Sequence, residues 1–537
     1  MKRPGIARVI VTLLLGAPGC VQPASRPEYV EVVQNLQYAA HRPPESVRPD
    51  DPDAAALDPA PTPPELLGPQ PVDAYIRQAL HENRTVQAAR FNLLALKARI
   101  PQVTALDDPI VSNTIYPIPS VAPQYSLMGY NPYNVLIAQQ FPWFGTLCLR
   151  GQAAEKDVEV ALAELAAAEL TVVADVKRAY YDLYFNEQAA KILGDNRKLA
   201  VDFITIAKAR YTTGNTGQQD VLRAEVVVTD LDRELLRVSQ GLATARADLA
   251  QQAHVNPESD LRTLASMPIN GVPAEVERLY RLAVATRPEL KGRLAAIARD
   301  ERAVELARKR YYPNVTLGLS YMDMEKTNAV TPKTASGMPN VGLFVGFNLP
   351  VYQKKLAAGV AEAEARAIAD AKLYDAERDS TYREIKDLWT QAKTQRDIIE
   401  LFRASILPKS VQALEAATSD YQAGNVDYVT LITAWREVLQ IQLQIAQVET
   451  ELGKALASLE RAVGVQLNQH PPRPPPAAPN STAIPIPAPQ PPEAGAASPF
   501  RQPSPANPDP AVEGPNVKRV PPSRPNATPN GKLPNAR

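Results

Sequence analysis

The sequence predicts a mainly α protein with a small β part, built twice over. Three observations lead there. Long stretches free of proline and glycine carry apolar residues at steps of three and four. Short stretches alternate apolar residues with small or polar ones, the period of a strand. One motif, RYTTGN at 210–215, returns as DYQAGN at 420–425.

The prolines set the boundaries. Of 52, about 22 fall after residue 470 and about a dozen between residues 23 and 71, which leaves about 16 for the intervening 400 or so residues. Such density keeps a chain extended and solvated. The expected organisation is therefore a leader (1–20), a Pro-rich linker (21–71), a first repeat (72–270), a second repeat (271–466) and a disordered Pro-rich tail (467–537).

The leader reads as an export signal. Lys2, Arg3 and Arg8 precede an apolar run from Val9 to Leu15, too short to span a bilayer, and small residues lead to Cys20. A cysteine at that place is the position lipidated in bacterial lipoproteins, so Cys20 is the expected lipidation site, with an ordinary secretory signal as the plainer alternative.

Heptad spacing defines the long helices. Val158, Leu162, Leu165, Val172, Val176, Ala179 and Leu183 form one seam, and a helix carried to Tyr211 runs for about 65 residues, or about 100 Å. The second copy repeats it from about Ala357 to Tyr421, with Pro408 as the expected kink, and a further helix covers 429–463. Gly214 and Gly424 each end a long helix, where glycine takes a left-handed cap without steric cost.

The strands are Val315–Tyr321 and Val341–Leu349, with a less regular hairpin between about 109 and 141. One face is apolar and the other small or polar with one exception, Phe344, which suits a membrane barrel as well as a half-buried soluble hairpin. Tyrosines 116, 125, 130, 133, 311, 312 and 321 gather around these strands, as an aromatic girdle would. Four strands per chain cannot close a barrel alone.

Several function classes are excluded. The 58 basic and 58 acidic residues cancel, so no nucleic-acid partner is expected. Two cysteines and the scattered His41, His81, His254 and His470 offer no zinc spacing. No nucleophile elbow, phosphate loop or HExxH is present, so no catalytic residue, cofactor or metal site is assigned and the protein is not an enzyme. Met322 and Met324, beside Asp323 and near Met338, have thioethers suited to Cu(I), but methionine is a general filler and packing is the better account. Cys148 reads as a small structural residue.

The chain resembles the TolC family of outer-membrane efflux proteins over about 72–466. The resemblance is carried by RPELKGRLAAIARDERAVELARKRYYPNVTLGLSY (287–321), GLFVGFNLPVYQKK (342–355) and ILPKSVQALEAATSDYQAGNVDYVTLITAWREVL (406–439). QQFPWFGTLCLRG (139–151) looks nearest to the heavy-metal-efflux branch. The resemblance implies a homotrimer with a 12-stranded barrel in outer-membrane lipid, four transmembrane strands per chain, and an α-barrel of coiled-coil helices in the periplasm. It implies a passive exit duct for small solutes or metal ions, partnered by a periplasmic adaptor (membrane fusion) protein and an inner-membrane transporter.

In the family the helical turns dock the adaptor. The matching positions are Tyr211, Gly214, Asn215 and Thr216 in the first copy, and Tyr421, Gly424, Asn425 and Val426 in the second. Family members often have leucine after the glycine, where this chain has asparagine twice. Where several members place gate aspartates, this chain has Thr430 and Thr433, with Asp220 and Arg223 in the corresponding places of the first copy. These four are the candidate pore gate, Asp220 being also an ordinary helix-start aspartate. Two other functions stay open: an exit duct for type I protein secretion, and a periplasmic coiled-coil scaffold lipoprotein without a pore.

Overall fold

The computed structural model describes residues 25–33, 62–115, 133–266, 271–323 and 339–467. Cys20, Tyr116, Tyr125, Tyr130, Met324, Met338 and the tail from residue 468 lie outside them. All described residues belong to the unit Met1–Pro471, and the unit Pro472–Arg537 lies wholly outside them.

Each half passes through the same series. After a two-residue strand β1 (Gly68–Pro69), the first half has α1 (Val72–Glu82), α2 (Arg84–Thr104), β2 (Ile110–Ile115), β3 (Tyr133–Phe141), α3 (Thr146–Thr212) and α4 (Gln218–Ala253). A second short strand, β4 (Leu261–Arg262), pairs in parallel with β1. The second half has α5 (Val276–Thr286), α6 (Pro288–Lys309), β5 (Val315–Asp323), β6 (Asn340–Phe347), α7 (Gln353–Leu401), α8 (Leu407–Ala423) and α9 (Tyr428–Val463).

α3 is unbroken over 67 residues, about 100 Å of rod. It packs along α2, α4, α6 and α9, while α7 packs along α6 and α9. The second rod is interrupted where the proline foretold. Pro408 has no N–H for the carbonyl one turn earlier, and Phe402–Ile406 widen into a π-helix between α7 and α8. Val158, Val172, Val176 and Leu183 of the expected α3 seam are buried, but Leu162 is exposed. Ala161, one residue earlier, is buried in its place. Cys148 is also exposed rather than packed.

The four longer strands form one antiparallel sheet in the order β2-β3-β5-β6, so each half contributes a hairpin and the halves join through β3 and β5. The register sets Ile137 beside Leu319 and Leu343, and Phe141 beside Val315 and Phe347, on one face. That face is apolar and open, with Leu343 at 79% exposure. The other face carries Gly318, Ser320, Gly342 and Gly346, with Ile110, Leu136, Met322 and Phe344 as the larger apolar residues on it. Both outer strands, β2 and β6, have one unpaired edge.

Beyond the sheet the helices pack in successive cores. Tyr75 of α1 tilts against Tyr180 of α3 with ring centroids 5.8 Å apart. Their hydroxyls donate to the carbonyls of Arg262 at 3.0 Å and Gln70 at 2.8 Å. Burial pushes both phenols up to about 12. In the second half Val276, Leu279 and Ala283 of α5 pack on Ile385 of α7 and Leu459 of α9 in the same manner.

Candidate functional site

The two helical turns expected to matter lie side by side. Leu193, Ala200 and Phe203 of α3, Ala224, Val227 and Leu231 of α4, and Tyr421, Tyr428 and Trp435 of α8 and α9 share one core at this end. Local sequence makes each turn. Gly214 and Gly424 have φ of +74° and +86°, the left-handed region that a side chain resists. The amides that follow close the helix ends: Asn215 N–H donates to the Arg210 carbonyl at 2.9 Å, and Asn425 N–H to the Asp420 carbonyl at 2.8 Å. Both are Schellman-type caps, which reach back to a carbonyl the helix itself leaves unpaired.

The turns are alike in backbone and unlike in side chains. Tyr211 and Tyr421 occupy matching positions, yet Tyr211 is 47% exposed and Tyr421 is 1% exposed. The Tyr421 ring is packed inside the chain: it meets Tyr428 edge to face at 5.7 Å, and the Arg210 guanidinium stacks over it at 4.5 Å. Burial raises the Tyr421 hydroxyl above its ordinary pKa, and the charge of Asp220 adds to this while Arg210 opposes it. Asn215, Gly214, Gly424 and Asn425 are exposed, and Thr216 and Val426 are half-buried.

Arg210 is the residue that sequence reasoning missed. It leaves α3, covers Tyr421 of α8, and donates from Nη2 to the Asn215 carbonyl at 3.3 Å. The same nitrogen lies 3.4 Å from where a Cβ on Gly424 would stand. One side chain thus spans both turns. The only sequence signal was its place directly before a matched tyrosine.

The four gate candidates are partly brought together. Thr216 Oγ1 donates to Asp220, whose carboxylate lies 4.0 Å from Arg223. Asp427, a second residue not singled out by sequence, caps α9 by accepting from Thr430 N–H at 3.0 Å and Thr430 Oγ1 at 2.6 Å. The Thr430 hydroxyl, then its amide, hold the Asp427 carboxyl below its ordinary pKa, and the charge of Arg223 adds to this. Asp220 and Arg223 thus stand together at the start of α4, and Asp427 and Thr430 at the start of α9, with the charge of Arg223 reaching Asp427. Thr433 joins neither pair, and its hydroxyl donates to the Val429 carbonyl at 2.7 Å.

This is a site for contact and electrostatics. Among the described residues no group of three His, Cys, Asp or Glu side chains is placed to hold a metal ion. Among them, too, no helix is long and apolar enough to cross a membrane.

The sequence profile of the outer membrane efflux protein family matches residues 75–253 and 279–465, more than half of the chain and both of its halves. The chain is 22% identical to the cobalt-zinc-cadmium resistance protein CzcC of Cupriavidus metallidurans over 408 residues, covering 75% of this chain and 92% of that one. Among solved structures it is similar to CusC, with TM-score 0.62 and 16% identity over 74% of this chain and 93% of that one. The outer membrane protein VceC of Vibrio cholerae matches with TM-score 0.60 and 19% identity, over 73% and 96% of the two chains.

Proposed function

The chain belongs to the outer membrane efflux protein family, and from that premise we propose how its parts serve a channel. It is an outer-membrane exit duct of a tripartite efflux pump and makes or breaks no bond. Channels of the family are trimers that work with a periplasmic adaptor and an inner-membrane transporter.

The observation that carries the reading is the four-stranded sheet with an open apolar face and two unpaired edges, set on helices about 100 Å long. Unpaired edges are not tolerated in lipid, so the β2 edge of one copy meets the β6 edge of the next, and three copies close a 12-stranded barrel. The small and polar face then lines water.

The exposed parts of the turns, Tyr211, Gly214, Asn215, Gly424 and Asn425, with Thr216 and Val426 at their margins, are the adaptor-docking surface. Tyr421 contributes from beneath, by fixing the second turn. The pairs Asp220 with Arg223 and Asp427 with Thr430 gate the pore, because charge rings impose strong fields in a narrow channel. Cys20 carries the lipid anchor. For cargo we favour metal ions, on the likeness to CzcC; protein secretion through the same tube is the competing cargo.

The test is electron microscopy with mass measurement of the detergent-extracted protein. A threefold tube of about 100 Å or more, at three times the chain mass, is expected. A monomeric rod that needs no detergent refutes the channel. Loss of host resistance to cobalt, zinc or cadmium on deletion supports metal cargo, and unchanged resistance refutes it.

A further inference from the structure

The apolar face of the sheet does not stop where the strands do. Along β6 the odd-numbered residues Val341, Leu343, Val345 and Phe347 are all exposed, and the same alternation continues through Leu349 and Val351. Tyr352 follows at 76% exposure, then Lys354 and Lys355 in the first turn of α7. The neighbouring strand ends repeat this order. Phe141 leads to Trp143 and to Phe144, which is 83% exposed, and then to Arg150 in the second turn of α3. Before β5, Lys309 and Arg310 stand next to Tyr311 and Tyr312, and the Tyr312 ring stacks on Trp143 at 5.1 Å.

Farther along α7, Lys386 and Lys393 lie over the Trp389 ring at 4.9 and 5.3 Å. On α7, Arg366, Lys372, Arg378 and Arg383 each find a carboxylate within 4 Å. Among the described residues, Arg150, Lys309, Arg310, Lys354 and Lys355 have none. Asp107 and Asp108 lie at the same level, so five cations face two carboxylates and the belt is net positive.

Local stability explains only part of this. Lys309 and Arg310 close α6, where the helix dipole favours a cation. Lys354 and Lys355 stand at the opposite kind of end. The first turn of α7 has no acidic residue, and its unpaired amides already carry positive charge that two lysines oppose. A placement that local energetics disfavour, and that no intramolecular acid compensates, is suited to an anion from outside the chain.

We propose that this belt binds the phosphate headgroups of anionic phospholipids in the leaflet nearest the helices. The proposal rests on the reading of the apolar sheet face as the membrane face. The exposed aromatic residues sit at the level of the headgroups, as amphipathic rings do. The lysine and arginine stems reach along the apolar rim with their charges in the phosphate layer. Each cation near an anionic surface strengthens attachment about fivefold. The lipid thereby fixes the depth of the barrel and the angle at which the helices leave it.

The full-length protein is reconstituted in phosphatidylcholine vesicles containing a minor fraction of a brominated lipid, either phosphatidylglycerol or phosphatidylcholine. Bromine quenches tryptophan at short range, and Trp143 stands in the belt while Trp389 and Trp435 lie well along α7 and α9. Stronger quenching by the brominated phosphatidylglycerol is expected, together with a preference that weakens as salt is raised. Lys354→Gln with Lys355→Gln should cut the preference about fivefold for each cation removed. These changes relieve the helix dipole, so a purely structural role predicts an equally or more stable trimer and an unchanged preference. Equal quenching by the two lipids, or a preference unaltered in the double variant, overturns the proposal. Failure to insert into vesicles of either composition overturns the membrane reading as well.

Discussion

Removing Arg210 isolates the contact that joins the two turns. Its guanidinium lies 4.5 Å from the centroid of the buried Tyr421 ring, and its Nη2 holds the Asn215 carbonyl at 3.3 Å. A half-buried cation–π contact contributes about 1 kcal/mol, and a hydrogen bond of this kind about 1 kcal/mol more. Arg210→Gln should therefore weaken the hold between the turns by about 2 kcal/mol per chain, roughly thirtyfold in that local equilibrium. The trimer should persist, because the cores around Tyr180 and Leu459 are far along the helices. The expected result is a raised resting current in planar bilayers, with an unchanged yield of trimer. Arg210→Lys should be intermediate, since it keeps the charge and loses the planar stacking surface. Tyr421→Leu should raise the current too, and the double variant should fall short of the sum, because both remove one contact. A resting current unchanged in Arg210→Gln, or strict additivity, refutes the clamp.

The remaining predictions concern the rods. Gly464 has φ of +87°, and a Cβ there would lie 2.9 Å from the Arg287 Cα, so Gly464→Ala should cost at least the 1–2 kcal/mol of a left-handed residue and lower the apparent melting temperature of the helical circular dichroism signal. His254 is in the left-handed region at φ +53°, and His254→Gly should raise that temperature by the equivalent of about 1 kcal/mol. Gly453 lets α9 approach α3, with a would-be Cβ 2.4 Å from the Tyr181 ring; Gly453→Val should abolish trimer recovery, and adding Tyr181→Ala should restore part of it. Asp427 is a lowered carboxyl, so its contribution is complete above the ordinary carboxylate pKa and is lost as pH falls through the lower folded value. Amide exchange in the first turn of α9 should rise only on acidification into that range, and Asp427→Ala should raise it at every pH.

How much of this was legible in the sequence depended on the range of the interaction. The rods, the π-helical break before Pro408 and the hairpins follow from periodicity and proline, which act within a few residues. The left-handed glycines of the turns were legible for the same reason. Burial at the turns was not. Aligning the copies set Tyr211 and Tyr421 in one role, but whether a tyrosine is covered depends on which helix lies beside it. Arg210 and Asp427 were passed over because each acts on a partner in the other half, or on a cap the periodicity does not mark. The exposure of Leu162 shows the same limit, since which residues of a seam are covered depends on the helices packed beside it.

The differences between the copies fall where a duplicated half meets unequal neighbours. At the joint between the two short helices, Asn83 caps α2 by accepting from Thr85 N–H at 2.9 Å. Arg287, in the matching place, is buried and bonded to Glu384 at 2.9 Å, with Glu377 at 3.6 Å and Glu289 at 3.4 Å. At the ends of the last helices, left-handed His254 is half-buried where Gly464 is pressed against the Arg287 backbone. The turns carry the same logic. Within the chain, Arg210 stitches the first turn to Tyr421; the residue matching Arg210 in the second copy is Asp420, which carries the opposite charge and is exposed. A ring closed from three chains alternates seams within chains and seams between them, and the second kind cannot repeat this clamp. Tyr211 is left uncovered by its own chain, at 47% exposure. At this end Arg210 holds each chain's own pair of turns together, through the Tyr421 ring on one side and the Asn215 carbonyl on the other.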